Sequence, residues 1–197
     1  MLYQAAKIKN KVVFIMDKYY EVTLDGKVFK LPKASIGNNK YIAVFDPYCD
    51  IEVARAAANA LYKKIKDEGL EKVDVIIGAE VKGASIAQRI ADLLNTNLLI
   101  FRKNIKINFE DPVIAHVKTF TSGTNQLFID RKDLLKYSGK NALFVDDVIS
   151  TGSTINATKD VLKNFNINVK RYCTIFKEGD ELKYDVLYVD KLPIFSE

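Results

Sequence analysis

Tryptophan is absent from this chain of 197 residues, methionine and cysteine occur twice each, and histidine occurs once. Each scarcity closes a class of explanation. Two cysteines, Cys49 and Cys173, far apart and in apolar company, cannot form the disulfide framework of a small secreted domain. Both read as reduced, buried thiols of a cytoplasmic protein. A lone histidine, His116, cannot support a histidine metal site or a catalytic triad. No apolar run approaches the roughly 18 residues that a membrane helix requires. Residues 1–20 alternate lysine with apolar side chains and lack the apolar block of a signal peptide. Cations are spread out, with no run of five or six, so a nucleic-acid partner is not favoured. There is no internal repeat, low-complexity tract or Pro/Gly-rich linker.

The chain does have enough apolar side chain, 48% of residues, to bury a core, and its length fits one α/β domain with an accessory element, or at most two small domains. Its net charge of +5 is compatible with a small anionic substrate. Tyr19–Leu24 and Val28–Leu31 flank Asp25-Gly26, a hairpin signal, and Lys40–Phe45 reads as another strand. Asp50 is placed to cap a helix carrying Ile51, Ala54, Ala58, Leu61 and Ile65 at helical spacing, with Gly69 to end it. From residue 73 strands and helices alternate: strand 73–79, helix 84–94, strand 97–101, a loop at 102–112, and a strand pair at 112–120 and 126–129. A short helix at 131–137, a strand ending at Val145, a helix from about Ile155 to Phe165, and strands at 169–176 and 185–189 complete the chain. Such alternation argues for a parallel sheet flanked by helices. Residues 1–50 read as a β-rich appendage and 51–197 as the α/β core.

The most informative segment is Leu143-Phe-Val-Asp146-Asp147-Val-Ile-Ser150-Thr151-Gly152-Ser153-Thr154. An apolar strand ends in two carboxylates, a hydroxyl- and glycine-rich turn comes next, and a helix begins. Ligands of open α/β sheets bind beyond the carboxyl ends of strands, and the free N–H groups of a helix start suit an anion. The segment therefore offers acceptors for sugar hydroxyls beside donors for a phosphate. A plainer reading, a solvated Asp pair and an ordinary helix cap, does not account for the whole order of residues. A Walker loop is a poor alternative, because no Gly-Lys-Ser/Thr closes the turn.

This segment resembles the PRPP-binding motif (PRPP, 5-phosphoribosyl 1-pyrophosphate) of the type I phosphoribosyltransferases. The resemblance implies that Asp146 and Asp147 hold the ribose 2- and 3-hydroxyls and are the catalytic pair, and that Ser150, Thr151, Gly152, Ser153 and Thr154 wrap the 5-phosphate. Ile77-Gly-Ala-Glu80-Val81-Lys82-Gly83 resembles the family's pyrophosphate loop, where related enzymes often have a cis peptide, by position Glu80–Val81 here. Arg102-Lys103-x-x-Lys106 resembles the start of its flexible catalytic loop. Glu80, Val81, Lys82, Arg102, Lys103 and Lys106 are thus the implied pyrophosphate site, although Lys82 also reads as a solvated loop lysine. No Glu occupies 115–123, where adenine enzymes usually carry one, so no catalytic Glu is carried over. Phe176 and Lys177 could stack on a base and read its exocyclic oxygen; equally, Phe176 could be core and Lys177 a surface residue.

The fold that the resemblance implies is a type I phosphoribosyltransferase-like parallel sheet with a small β-rich hood formed from both chain ends. The implied activity is purine salvage: transfer of phosphoribose from PRPP to a purine, adenine narrowly ahead of xanthine, guanine or hypoxanthine, with orotate less favoured. Mg²⁺ would bind mainly through substrate oxygens. A cytoplasmic homodimer is expected. A PRPP-sensing regulator without catalysis is the rival of another class, although residues 1–50 show no helix-turn-helix pattern.

Overall fold

The computed structural model describes residues 18–118, 124–179 and 182–196. In chain order the elements are β1 (Tyr19–Leu24), β2 (Lys27–Gly37), β3 (Lys40–Ala43), α1 (Ile51–Asp67), β4 (Val75–Ala79), α2 (Lys82–Leu94), β5 (Asn97–Phe101), β6 (Pro112–Lys118), β7 (Thr124–Asp130), α3 (Arg131–Lys136), β8 (Asn141–Ile149), α4 (Ser153–Asn164), β9 (Asn168–Glu178), β10 (Val186–Leu192) and β11 (Ile194–Ser196). The central sheet is fully parallel, in the order β10-β9-β8-β4-β5. Strand β4, between β8 and β5, is apolar throughout, as a strand covered on both faces must be, and every one of its residues is buried.

Alternation along the strands divides the core. Ile76, Leu143 and Val145 face α1 and α2, together with Val22, Leu24 and Leu31 of the first hairpin. Val75, Ile77, Ala142 and Phe144 face α4, α3 and the β6–β7 hairpin. Helix α1 forms where Asp50 predicts it: the Asp50 carboxylate accepts the N–H groups of Glu52 and Val53, both at 3.0 Å. The hood is a second sheet, β1-β2-β3-β11, so the chain's last described strand joins its first three. Asp25 and Gly26 both have positive φ, 49° and 78°, as a tight hairpin turn requires.

Strand β2 runs six residues beyond the expected Leu31, because it pairs with β1 at one end and with β3 at the other. Helix α4 starts two residues earlier than expected, inside the hydroxyl-rich turn. The expected strand pair is present as β6 and β7, antiparallel; residues 119 and 120 lie outside the described residues. Cys49 corrects an expectation: it is exposed, in the turn before α1, whereas Cys173 is buried and its thiol is pushed up to about 12 by loss of solvent. A thiol reagent should therefore label Cys49 alone in the native protein and Cys173 only after denaturation; native labelling of both would contradict the packing of β9.

Candidate active site

Of the four helices among the described residues, two begin without a side-chain cap, and both open onto the same cleft. Asp50 caps α1 and Asp130 caps α3. No side chain caps α2, whose N-cap is Val81, or α4, whose N-cap is Gly152. The first N–H groups of a helix need partners, and here they are left to whatever occupies the cleft. The cleft measures about 800 Å³, within the usual range for small-molecule sites. Glu80, Val81 and Gly83 form one wall, Ser153 and Thr154 another, and Asp146 and Asp147 lie between them. Lys103, Asn104 and residues 125–128 of β7 also line it, with Ala79, Val117 and Val148.

The acidic pair sits within β8 instead of at its tip, and Asp146 is opposite Thr174 of β9. Asp146 is 8% exposed, and its Oδ1 accepts the N–H of Asp147 at 3.0 Å. Burial, reinforced by the neighbouring Asp147 charge, holds the Asp146 carboxyl well above the usual range. Burial also raises Asp147, while hydrogen bonds and the Lys82 charge pull the other way. Two desolvated carboxyls side by side need partners that favour ionisation, and a diol or a cation supplies them.

The pyrophosphate-loop segment has a cis peptide at Glu80–Val81. The Glu80 carboxylate accepts from the Arg102 guanidinium at 2.9 Å and from the Lys103 N–H at 2.8 Å. Burial opposes its charge, but these donors and the Lys106 charge outweigh burial and hold it below the usual range. The Arg102 side chain and the Lys103 backbone are thereby held at one carboxylate; of Arg102, Lys103 and Lys106, only Lys103 lines the cleft. Lys82 is turned aside: its ammonium donates to the Phe45 carbonyl at 2.8 Å and lies 3.9 Å from Asp46. In the turn before α4, Ser150 is half-buried, Thr151 exposed and Gly152 buried; none of the three lines the cleft, unlike Ser153 and Thr154.

The expected base contacts are corrected. Phe176 is fully buried and meets Phe45 edge-to-face at 5.2 Å, so it has no free ring face for a base. Lys177 lies between Ile149 and Lys191 in the sheet and is outside the cleft lining.

Three residues that carry no signal of their own in the sequence shape the site. A Cβ on Gly83 would collide with Asp146 Oδ1, so the carboxylate fits against α2 only because that position is glycine. The Tyr48 hydroxyl donates to the Val81 carbonyl; burial and then the charges of Glu80, Asp147 and Asp46 raise its pKa, which places it beside the acids. Tyr184 packs on Gly152. The sequence shows these residues but not what they face. Among the described residues no group of three or more His, Cys, Asp or Glu is arranged to hold a metal, and no helix is long and apolar enough to cross a membrane.

A family model for the phosphoribosyl transferase domain matches residues 50–193. An adenine phosphoribosyltransferase of Prochlorococcus marinus is 30% identical over 112 residues, 57% of this chain and 63% of that protein. A hypoxanthine/guanine phosphoribosyltransferase of Methanobrevibacter ruminantium is 32% identical over 115 residues, 58% of this chain and 57% of that one. A probable purine biosynthesis transcriptional regulator of Streptococcus pneumoniae is 25% identical over 128 residues, 64% of this chain and 45% of its own. The chain thus spans less than two thirds of each of these relatives. Among solved structures, an adenine phosphoribosyltransferase from Thermoanaerobacter pseudethanolicus shares the fold with a TM-score of 0.65 and 20% identity, over 88% of this chain and 95% of that one.

Proposed function

Since the chain belongs to the phosphoribosyltransferase family, we propose that it transfers the 5-phosphoribosyl group of PRPP to a purine base, adenine first, and releases pyrophosphate. The observation that supports this most is the paired, desolvated Asp146 and Asp147 lying between two uncapped helix starts. One start suits a diphosphate and the other a 5-phosphate, and the acids between them suit a ribose diol.

In the reaction the bond from ribose C1 to the pyrophosphate oxygen breaks, and its electron pair leaves with pyrophosphate. A base nitrogen forms the new bond to C1, and its proton is lost to solvent. The transition state has oxocarbenium character, as in glycoside chemistry. Asp146 and Asp147 hold the two hydroxyls and place negative charge near the developing cation. Ser150 through Thr154 and the first turn of α4 hold the 5-phosphate. Arg102, Lys103 and Lys106 receive the departing diphosphate, and Lys82 adds positive charge from behind the loop. Mg²⁺, when bound, supplies charge neutralisation at the diphosphate. The acidic pair fits it as hard oxygen donors, with substrate oxygens and water for the rest of its shell.

Adenine is placed narrowly first because Lys177, one of two features that argue for a 6-oxopurine, lies outside the cleft lining; the other, the lack of a Glu at 115–123, still favours a 6-oxopurine. The test is pyrophosphate release from PRPP and Mg²⁺ with adenine, guanine, hypoxanthine, xanthine and orotate in parallel. Release with adenine above the others is expected. Release with none of them, while PRPP still binds, would instead make the protein a PRPP sensor.

The acids also set a pH dependence. Their folded pKa values are raised, so protonation begins above the ordinary carboxylate range of about 4. PRPP affinity is expected to fall as pH is lowered from the alkaline side toward the ordinary carboxylate range. A KM for PRPP that stays flat across that window would show that the ionised pair does not hold the sugar.

A further inference from the structure

The turn that precedes α4 has support on the side away from the cleft, and nothing in the reaction itself accounts for it. Gly152 has φ +73°, in the left-handed region that favours glycine, and a Cβ there would stand 2.9 Å from Tyr184 Cδ2, 3.0 Å from Cε2 and 3.1 Å from Leu182 Cδ1. The Tyr184 ring therefore rests directly on the glycine backbone. Its hydroxyl donates to Asn156 Oδ1 in the first turns of α4, and the Asn156 N–H in turn donates to the Gly152 carbonyl at 2.9 Å. Leu182 is buried in a small apolar cluster with Ile149, Ile155 and Val186, which anchors this stretch to β8 and α4. Neither Leu182 nor Tyr184 lines the cleft, whereas Ser153 and Thr154 do.

We propose that Tyr184 is a positioning residue for the 5-phosphate turn, an inference that rests on reading residues 150–154 as the phosphate site. The physical reason is pre-organisation. A glycine-containing turn at an uncapped helix start has many conformations when free, and a ligand that must order it binds more weakly. A ring packed on Gly152 and a hydrogen bond to Asn156 hold the turn from two directions before any anion arrives. The amide donors then need no rearrangement on binding. The effect belongs to the phosphate end of the sugar. Pyrophosphate has its own partners at Glu80–Lys82 and Arg102–Lys106 and is indifferent to Tyr184.

The test compares the wild type with Tyr184→Ala, Tyr184→Phe and Asn156→Ala for KM of PRPP, kcat, and separately the Kd of ribose 5-phosphate and of inorganic pyrophosphate. Tyr184→Ala is expected to weaken PRPP and ribose 5-phosphate by a common factor of about ten, with kcat within about twofold and pyrophosphate affinity unchanged. Tyr184→Phe and Asn156→Ala keep the ring and lose only the hydrogen bond, so a loss of about two- to threefold is expected for each. If Tyr184→Ala fails to fold, these two milder variants decide the matter. Unchanged ribose 5-phosphate affinity in the folded variants, or an equal loss for pyrophosphate, overturns the inference and leaves Tyr184 a packing residue. A wild-type protein that binds pyrophosphate but not ribose 5-phosphate overturns the phosphate-site reading itself, and this inference with it.

Discussion

Replacing Asp146 and Asp147 together by asparagine is expected to reduce turnover by about two to three orders of magnitude, the range seen when a group that stabilises transition-state charge is removed. The same variant should melt no lower than the parent. The two outcomes come from one fact, that the carboxyls are desolvated. Asparagine keeps the shape and one acceptor oxygen but loses the charge that favours an oxocarbenium-like centre, and its amide offers donors where the diol needs acceptors. For stability, the sign is set by the raised folded pKa values. The folded state binds these protons more tightly than the unfolded chain does. Stability therefore falls as pH rises from the ordinary carboxylate range through the raised values, and at neutral pH the ionised pair costs the fold free energy. A neutral isostere removes that cost, and for a chain of this length each kcal/mol recovered moves the melting temperature by roughly 2–4 °C. Near-normal PRPP turnover in the double variant would defeat the assignment of the pair. A lower melting temperature would mean that the acids serve the fold, not the substrate.

The acids are legible in the sequence because chemistry and order coincide there: an apolar strand, two carboxylates, hydroxyls and a glycine can be read without knowing what surrounds them. The parallel sheet is legible for a similar reason, since its strands are buried on both faces and its helices carry an apolar stripe. Lys82 and Phe176 show where such reading ends. A lysine at a helix start next to a phosphate site looks like a ligand, but the Phe45 carbonyl and the Asp46 carboxylate lie within its reach and capture the ammonium. A phenylalanine at a strand end can face solvent or core, and its partner, Phe45, is more than a hundred positions away, between β3 and α1. Strand β11 is foreseen only through the resemblance, which implies a hood from both chain ends; its own three residues carry almost no periodic signal, and their partner is the distant β3. Apolar neighbours mislead at Cys49, because a turn residue does not share their burial. Local pattern reports element type and chemistry, whereas long-range contact decides which side chains face the cleft.

Gly83→Ala should be the most disruptive single-methyl change in the site. Alanine is the better helix former by about 1 kcal/mol, so on local grounds the change would stabilise α2. The space forbids it. The new Cβ would overlap Asp146 Oδ1 and lie 3.1 Å from Cγ and 3.4 Å from the Asp146 Cα, which is held in the middle of the sheet. The backbone contact is ordinary; the carboxylate contacts are not. Either α2 moves off β8, or the Asp146 side chain leaves its place beside the Asp147 N–H. Overpacking of this kind costs about 1–3 kcal/mol, and either response disorders the acidic pair. Gly83→Ala is therefore expected to lose turnover to about the extent of the Asn variants while melting lower than the parent, the opposite sign to theirs. The cause can be isolated by adding Asp146→Ala, which removes the atoms that collide. The double variant should recover melting temperature toward the parent while staying inactive, with a favourable coupling between the two sites. Additive stability losses would show that Gly83 is needed for the helix backbone itself. Retained activity in Gly83→Ala alone would show that the Asp146 carboxylate does not work from the place the structure gives it.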